Sequence, residues 1–293
     1  MKLTAMLSNT AMGTDWGFIR DAVVGLEESG LDGVSVNDHV VGGHPDRAAG
    51  QKVHTHAVAV HEPLVMLSFI AAVTSRLELA TAILILPQRQ TTLVAKQVAQ
   101  IDLLSGGRMR LGVGVGRNWM EYEALGEDFS NRGRRIEEQV EVLRRFWSQD
   151  LVTFSGAWHQ LDRVGLNPTS VQRPVPVWMG SFVGGTTDKV RDRIARLADG
   201  WLPQSSPEVL APELARVRQM VEGHGRDPSS LGVEPTMRLS PSDDAGAWVA
   251  SAEAYAALGV THLKAATTEG EPAQRLELML RWLEAVGHLR ELR

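Results

Sequence analysis

Eight short apolar runs, at residues 3–8, 33–37, 78–86, 109–115, 175–180, 200–203, 232–239 and 262–266, alternate along the chain with helical patterns. That alternation is the strongest constraint on the fold, because parallel strands need long crossovers and helices supply them. Between residues 134 and 148, for example, Ile136, Val140, Leu143, Phe146 and Trp147 share one helical face and charged residues fill the other. Glycine turns such as Gly30-Leu-Asp-Gly33, Ser105-Gly-Gly107, Ala198-Asp-Gly200 and Leu258-Gly259 precede strands and punctuate the repeat. Eight such units predict one α/β domain over residues 1–293, a (β/α)8 TIM barrel. Two segments exceed a minimal barrel: residues 40–61 after the second strand, and residues 151–174 before the fifth. The first follows the carboxyl end of a strand, where barrel active sites lie, and reads as a lid or substrate loop. The second reads as a hairpin with Gly156-Ala-Trp158 at its tip, packed on the barrel rim.

Composition narrows the chemistry. The chain has no cysteine, which excludes disulfides, thiolate metal sites and a cysteine nucleophile. A net charge of -5 and a pI near 6.0 give no basic field for nucleic acid or anionic membranes, so the expected partner is a small molecule. The opening Met-Lys-Leu-Thr-Ala carries no apolar signal region and no apolar run reaches the length of a membrane span, an expectation of a cytoplasmic protein.

Residues 101–116 read as a helix end, a glycine turn at Ser105-Gly-Gly107, and a strand in which apolar residues alternate with Gly112, Gly114 and Gly116. Glycine within a strand marks close approach by another backbone or a ligand. The dinucleotide fingerprint G-x-G-x-x-G fails here on spacing, since its last position falls on Arg117 or Trp119. At the end of the second strand, Asn37-Asp38-His39 places two titratable groups at the barrel mouth, a histidine able to exchange protons near neutral pH and a carboxylate able to orient it or a ligand. A purely structural role for that pair is equally open. His44, His54, His56 and His61 crowd the following loop, and His54-Thr-His56 matches the H-x-H of metal-dependent barrel hydrolases. There the pair stands on a strand; here it sits in a polar loop without a carboxylate ligand, so no metal is assigned. The third strand places the small Ala82 before bulky residues, either as core layering or as room for a planar ring. After the fifth strand, Gly180, Ser181 and the segment to Thr187 form either a phosphate site at a helix N-terminus or an ordinary helix cap.

Taken together, Asn37-Asp38-His39, Leu86-Pro87-Gln88-Arg89 with Ala95-Lys96-Gln97, Leu104-Ser-Gly-Gly-Arg108 with Leu111-Gly-Val-Gly114, Glu123-Ala-Leu-Gly126, Arg132-Gly-Arg134, and Pro176-Val-Trp-Met-Gly180 with Ala195-Arg-Leu-Ala-Asp-Gly-Trp201 resemble the bacterial luciferase-like flavin and deazaflavin oxidoreductases. The similarity is strongest to the actinobacterial type that uses coenzyme F420, and it is dense from about residue 15 to residue 203. It implies a barrel with the cofactor ring at the carboxyl ends of the strands, seated on a third-strand bulge with a non-proline cis peptide at Ala82-Ile83. It further implies Asp38 and His39 at the ring face as the catalytic pair, with the histidine moving a proton during hydride transfer. Gly114, Gly116 and Asn118 then border the ring or tail, and Met179, Gly180, Ser181, Gly185 and Thr186 hold the cofactor on its phosphate side. Arg117 and His44 are the candidate substrate contacts, and a homodimer is expected from the same resemblance.

Two departures bear on the substrate. The family's sugar-phosphate dehydrogenases carry a glutamate where this chain has Arg117, and a tryptophan shortly after the second-strand histidine that has no counterpart here. The arginine that luciferases place on the FMN phosphate aligns with Val115. The leading expectation is hydride transfer between F420 and a small organic substrate; the alternatives are an FMN-dependent two-component monooxygenase and a non-catalytic barrel that holds a flavin or deazaflavin.

Overall fold

A computed structural model describes residues 1–7, 12–48, 54–182 and 186–290. In chain order its elements are β1 (Lys2–Met6), α1 (Trp16–Glu28), β2 (Gly33–Val36), α2 (Pro63–Val73), β3 (Glu78–Thr81), β4 (Leu84–Ile85), α3 (Thr91–Ser105), β5 (Met109–Gly114), α4 (Trp119–Ala124) and α5 (Arg132–Ser148). They continue with β6 (Val152–Ser155), β7 (Gln160–Val164), β8 (Val177–Phe182), α6 (Asp188–Leu197), β9 (Gly200–Gln204), α7 (Pro207–Gly223), β10 (Gly232–Val233), β11 (Thr236–Arg238), α8 (Ala245–Ala257), β12 (His262–Ala266) and α9 (Pro272–Val286). Among the described residues, no helix is long and apolar enough to cross a membrane.

The main sheet is parallel and runs β10-β9-β8-β5-β3-β2-β1-β12-β11. It closes because β10 and β11 are two pieces of one strand position: β10 pairs with β9, and β11, after Glu234 and Pro235, pairs with β12. The eight sequence runs therefore occupy eight places in a TIM barrel. The third place is also broken. Ala80 pairs with Arg110 and Leu84 with Val113, so the outer chain advances one residue more than β5 between those pairs. This is a bulge, and the cis peptide bond between Ala82 and Ile83 lies in it, where the resemblance puts it.

Helices pack as their apolar periods require. In α5, Ile136, Val140, Leu143, Phe146 and Trp147 are all buried against the barrel. Helix α3 stops at Gly106, which adopts a left-handed conformation (φ +70°) and lets the Gly107 amide return to the Asp102 carbonyl. The excursion before β8 is the antiparallel hairpin β6–β7. Glu138 on α5 receives the Ala157 and Trp158 amides at 2.8 Å and pairs with His159, fixing the hairpin tip to the outside of the barrel.

Near the amino ends of the strands, the bore is filled by a buried charge cluster. Glu234 accepts from the Thr4 hydroxyl (2.6 Å) and from Arg110 (3.1 Å), and Lys264 stands 3.7 Å away. The Arg110 guanidinium lies 4.1 Å from the Trp178 ring centre. This floor leaves the carboxyl ends of the strands as the open end of the barrel. Burial by itself raises the Glu78 and Glu234 pKa values, but the His262 hydrogen bond and the Arg110 charge hold Glu78 down at about 2, and Arg110 with Lys264 hold Glu234 well below the usual range. Both carboxyls thus titrate lower in the folded than in the unfolded chain. Their stabilisation is complete above about pH 4.5 and is lost as pH falls towards 2. Glu234→Ala leaves two cations buried without their counter-charge, and urea denaturation should show a loss of about 3–5 kcal/mol at pH 7.

Candidate functional site

The carboxyl end of β2 continues directly into Asn37, Asp38 and His39. Asp38 is fully committed to structure. Its carboxylate, with no solvent exposure, accepts from the Ile85 amide (2.9 Å) and from Arg89 through Nε (3.2 Å) and Nη2 (2.7 Å). Arg89 in turn reaches Glu62, the residue that caps α2, at 2.8 Å. Burial holds the Asp38 pKa above the ordinary carboxylate value, against the opposing pull of the Arg89 charge and the Ile85 amide. Asp38 therefore ties the β2 end to β4 and does not orient His39, as the sequence pattern suggested.

That role belongs to Glu121 on α4, wholly buried and absent from the sequence-based candidates. Its Oε2 stands 3.1 Å from His39 Nδ1, and its Oε1 accepts the Val40 amide at 2.9 Å. With Nδ1 donating to the carboxylate, His39 is left with Nε2 as the ring atom free to act on a bound molecule. The imidazole is a quarter exposed. His54, returning from the loop, meets it edge-on with ring centres 3.7 Å apart, and burial and the neighbouring His39 push the His54 pKa down. The backbone bridge between Gly43 and Thr55 holds the two limbs of the loop together. A pattern that hints at Glu121 does exist in the sequence: one acid between Met120 and Tyr122, on a short helix that buries all of them.

Opposite the polar edge stands an apolar shelf. Ile83, from the bulge, fits between β5 and β8 because both are glycine there: a Cβ on Gly114 lies 2.8 Å from Ile83 Cδ1, and one on Gly180 lies 2.6 Å from Ile83 Cγ2. Ala82 and Ile83 remain partly exposed. Beyond β5 the chain turns at Gly116 (φ +61°), and the Tyr122 hydroxyl donates to the Val115 carbonyl at 2.6 Å, pinning the turn. Asn118 caps α4 through Oδ1, while its buried Nδ2 has no protein partner.

The remaining candidates divide. Strand alternation puts Gly180 on the bore side and Met179 in the apolar layer under the helices, where Met179 is buried. The Ser181 hydroxyl accepts from Trp201 Nε1 (2.8 Å), and Thr186 donates to the Phe182 carbonyl (2.6 Å), so both brace the β8–α6 connection. Gly185 lies outside the described residues. Arg117 is exposed at the end of β5, its guanidinium 5.9 Å from the Phe182 ring centre. His44 stacks on His56 at 5.6 Å and pairs with Asp46, both exposed. Among the described residues, no group of three or more histidine, aspartate or glutamate side chains is placed to hold a metal. Removing Arg89 strands the Asp38 carboxylate in the interior, so Arg89→Ala should lower unfolding stability by about 3 kcal/mol in a denaturant titration, and Arg89→Lys by less.

Comparison with known proteins agrees with this fold. Residues 2–289 match the luciferase-like monooxygenase family. An F420-dependent glucose-6-phosphate dehydrogenase of Kineococcus radiotolerans is 30% identical over 255 residues, covering 84% of this chain and 70% of that one. An FMNH2-dependent dimethylsulfone monooxygenase of Pseudomonas fluorescens is 37% identical over 142 residues, 47% of this chain and 37% of the relative. Among solved structures, an F420-dependent secondary alcohol dehydrogenase bound to an F420–acetone adduct superposes with a TM-score of 0.80 at 17% identity, covering 97% of this chain and 98% of that one.

Proposed function

We propose that this chain, which belongs to the luciferase-like monooxygenase family, is an oxidoreductase that transfers a hydride between coenzyme F420 and a small organic substrate. The observation that carries this reading is the imidazole of His39, locked by Glu121 with Nε2 free, at the same barrel end as the apolar shelf of Ile83 between Gly114 and Gly180. That shelf suits a flat ring system: the glycines let the Ile83 side chain lie between β5 and β8, where it and Ala82 stay partly exposed as an apolar seat, and Asn118 Nδ2, beyond β5, is a donor without a protein partner. Ile83, Gly114 and Gly180 would hold the ring, and Asn118 would bind one of its polar edges or its tail. Bound there, the deazaflavin supplies the centre that gives or accepts the hydride.

The protein's own part is positional and acid–base. In the oxidising direction His39 Nε2 accepts the proton of a substrate hydroxyl, and in the reducing direction it returns one to the carbonyl oxygen. Glu121, buried against Nδ1, fixes the tautomer and stabilises the imidazolium while the proton is held. His54, from the loop after β2, stands edge-on against the imidazole on this side.

An FMN-dependent monooxygenase is the second reading, favoured by the similarity to the Pseudomonas fluorescens enzyme. Parallel fluorescence titrations with F420 and FMN separate the two. F420 should bind with micromolar or tighter affinity, and stoichiometric FMN binding without F420 binding sinks the deazaflavin assignment. His39→Ala should reduce turnover about 100-fold or more with little change in cofactor affinity, and Glu121→Gln should reduce it in the same direction. A non-catalytic barrel predicts bound cofactor without any substrate-dependent change in its absorbance.

A further inference from the structure

Two exposed arginines at the open end of the barrel, Arg117 and Arg238, have no carboxylate partner among the described residues, and Arg117 is the one beside an aromatic ring. The segments that follow β2, β5 and β8 carry the acids Asp38, Asp46, Glu62, Glu121, Glu123, Glu127, Asp128 and Asp188. Each is engaged: Asp38 and Glu62 by Arg89, Glu121 by His39 and the Val40 amide, Asp46 by His44, Glu123 by Arg47, Glu127 by Arg135, Asp128 by the Ser130 amide and hydroxyl, and Asp188 by Arg191 and Arg216. The sequence of residues 49–53 and 183–187 contains no aspartate or glutamate. Arg117 is thus a cation at the mouth with no carboxylate among the described residues, on a protein whose net charge is -5. Its one contact of note is the ring of Phe182, itself 59% exposed at the end of β8.

An arginine held beside an aromatic face and facing solvent is a receptor for a planar anion attached to an apolar body: the guanidinium takes the carboxylate by paired N–H donors and the ring takes the carbon skeleton. The position is on the shelf side of the mouth, since Arg117 directly follows Gly116, which packs against Ile85, and stands three residues after Gly114, which packs against Ile83. We propose that Arg117 and Phe182 form a subsite for the carboxylate of the substrate, so that the natural substrate is an organic acid with an apolar skeleton, oriented with its reacting carbon towards His39. The inference deepens the hydride-transfer reading and rests on it for the reaction. The binding claim stands on the charge accounting alone.

An anion at this place has two possible sources, the substrate's carboxylate or the cofactor's phosphate-bearing tail, and the test has an arm for each. Binding of benzoate and of its neutral analogue benzamide is measured by saturation-transfer NMR on the full chain, with and without F420. The subsite predicts that benzoate binds roughly tenfold or more tightly than benzamide, that Arg117→Gln abolishes the difference, that Arg117→Lys restores part of it, and that Phe182→Ala weakens benzoate but not acetate. F420 and FMN affinities of Arg117→Gln are measured alongside and should stay within about threefold of the parent. Equal binding of benzoate and benzamide to the parent overturns the proposal. So does a tenfold or larger loss of cofactor affinity in Arg117→Gln, which assigns the arginine to the cofactor instead. Failure of the parent to bind F420 at all counts against the hydride-transfer reading and leaves the benzoate result to judge the subsite.

Discussion

A single buried carboxylate, Asp38, sets the geometry on which the site depends. It closes three bonds, to the Ile85 amide and to two nitrogens of Arg89, and Arg89 extends the tie to Glu62 at the start of α2. One acid thereby fixes the residue after which His39 emerges and the strand that follows the Ala82-Ile83 bulge. Moving it displaces both sides of the site together. A charge kept fully from water is tolerable only with such complete pairing.

The division of labour between two adjacent residues follows. Asp38 turns inward and holds backbone; His39 turns to the mouth and is held by a carboxylate arriving from α4, remote in sequence. The glycines of β5 and β8 do the complementary work by removing side chains where Ile83 must pass. Rigid walls, an oriented imidazole and a charged floor that fills the opposite end of the bore make the carboxyl end of the barrel the place we propose for a small molecule.

Much of this was legible in the sequence. The eight strand places follow from period and punctuation, because each βα unit repeats the same local physics, and α5 and the β6–β7 hairpin tip fall where their patterns put them. The broken third strand was legible only by family resemblance: nothing in the alternation around Ala82 and Ile83 marks an extra residue. The pairing of Asp38 and His39 misled, since adjacency along a chain leaving a strand sends neighbouring side chains in opposite directions. The sequence hints that Glu121 is buried, but its pairing with His39 is not legible there, for a related reason. Its partner lies 82 residues earlier, and only the closure of the barrel brings β2 and α4 together. Met179 was assigned with its glycine neighbour, yet strand alternation puts the two on opposite faces of β8.

The central claim is that a deazaflavin ring lies on the Ile83 shelf within reach of His39 Nε2. A crystal structure of the chain with F420 tests it most directly. The ring should pack against Ile83 between β5 and β8, with His39 Nδ1 still on Glu121 and Nε2 facing the bound molecule. F420 bound elsewhere, or a His39 imidazole turned from Glu121 and away from the ring, contradicts it.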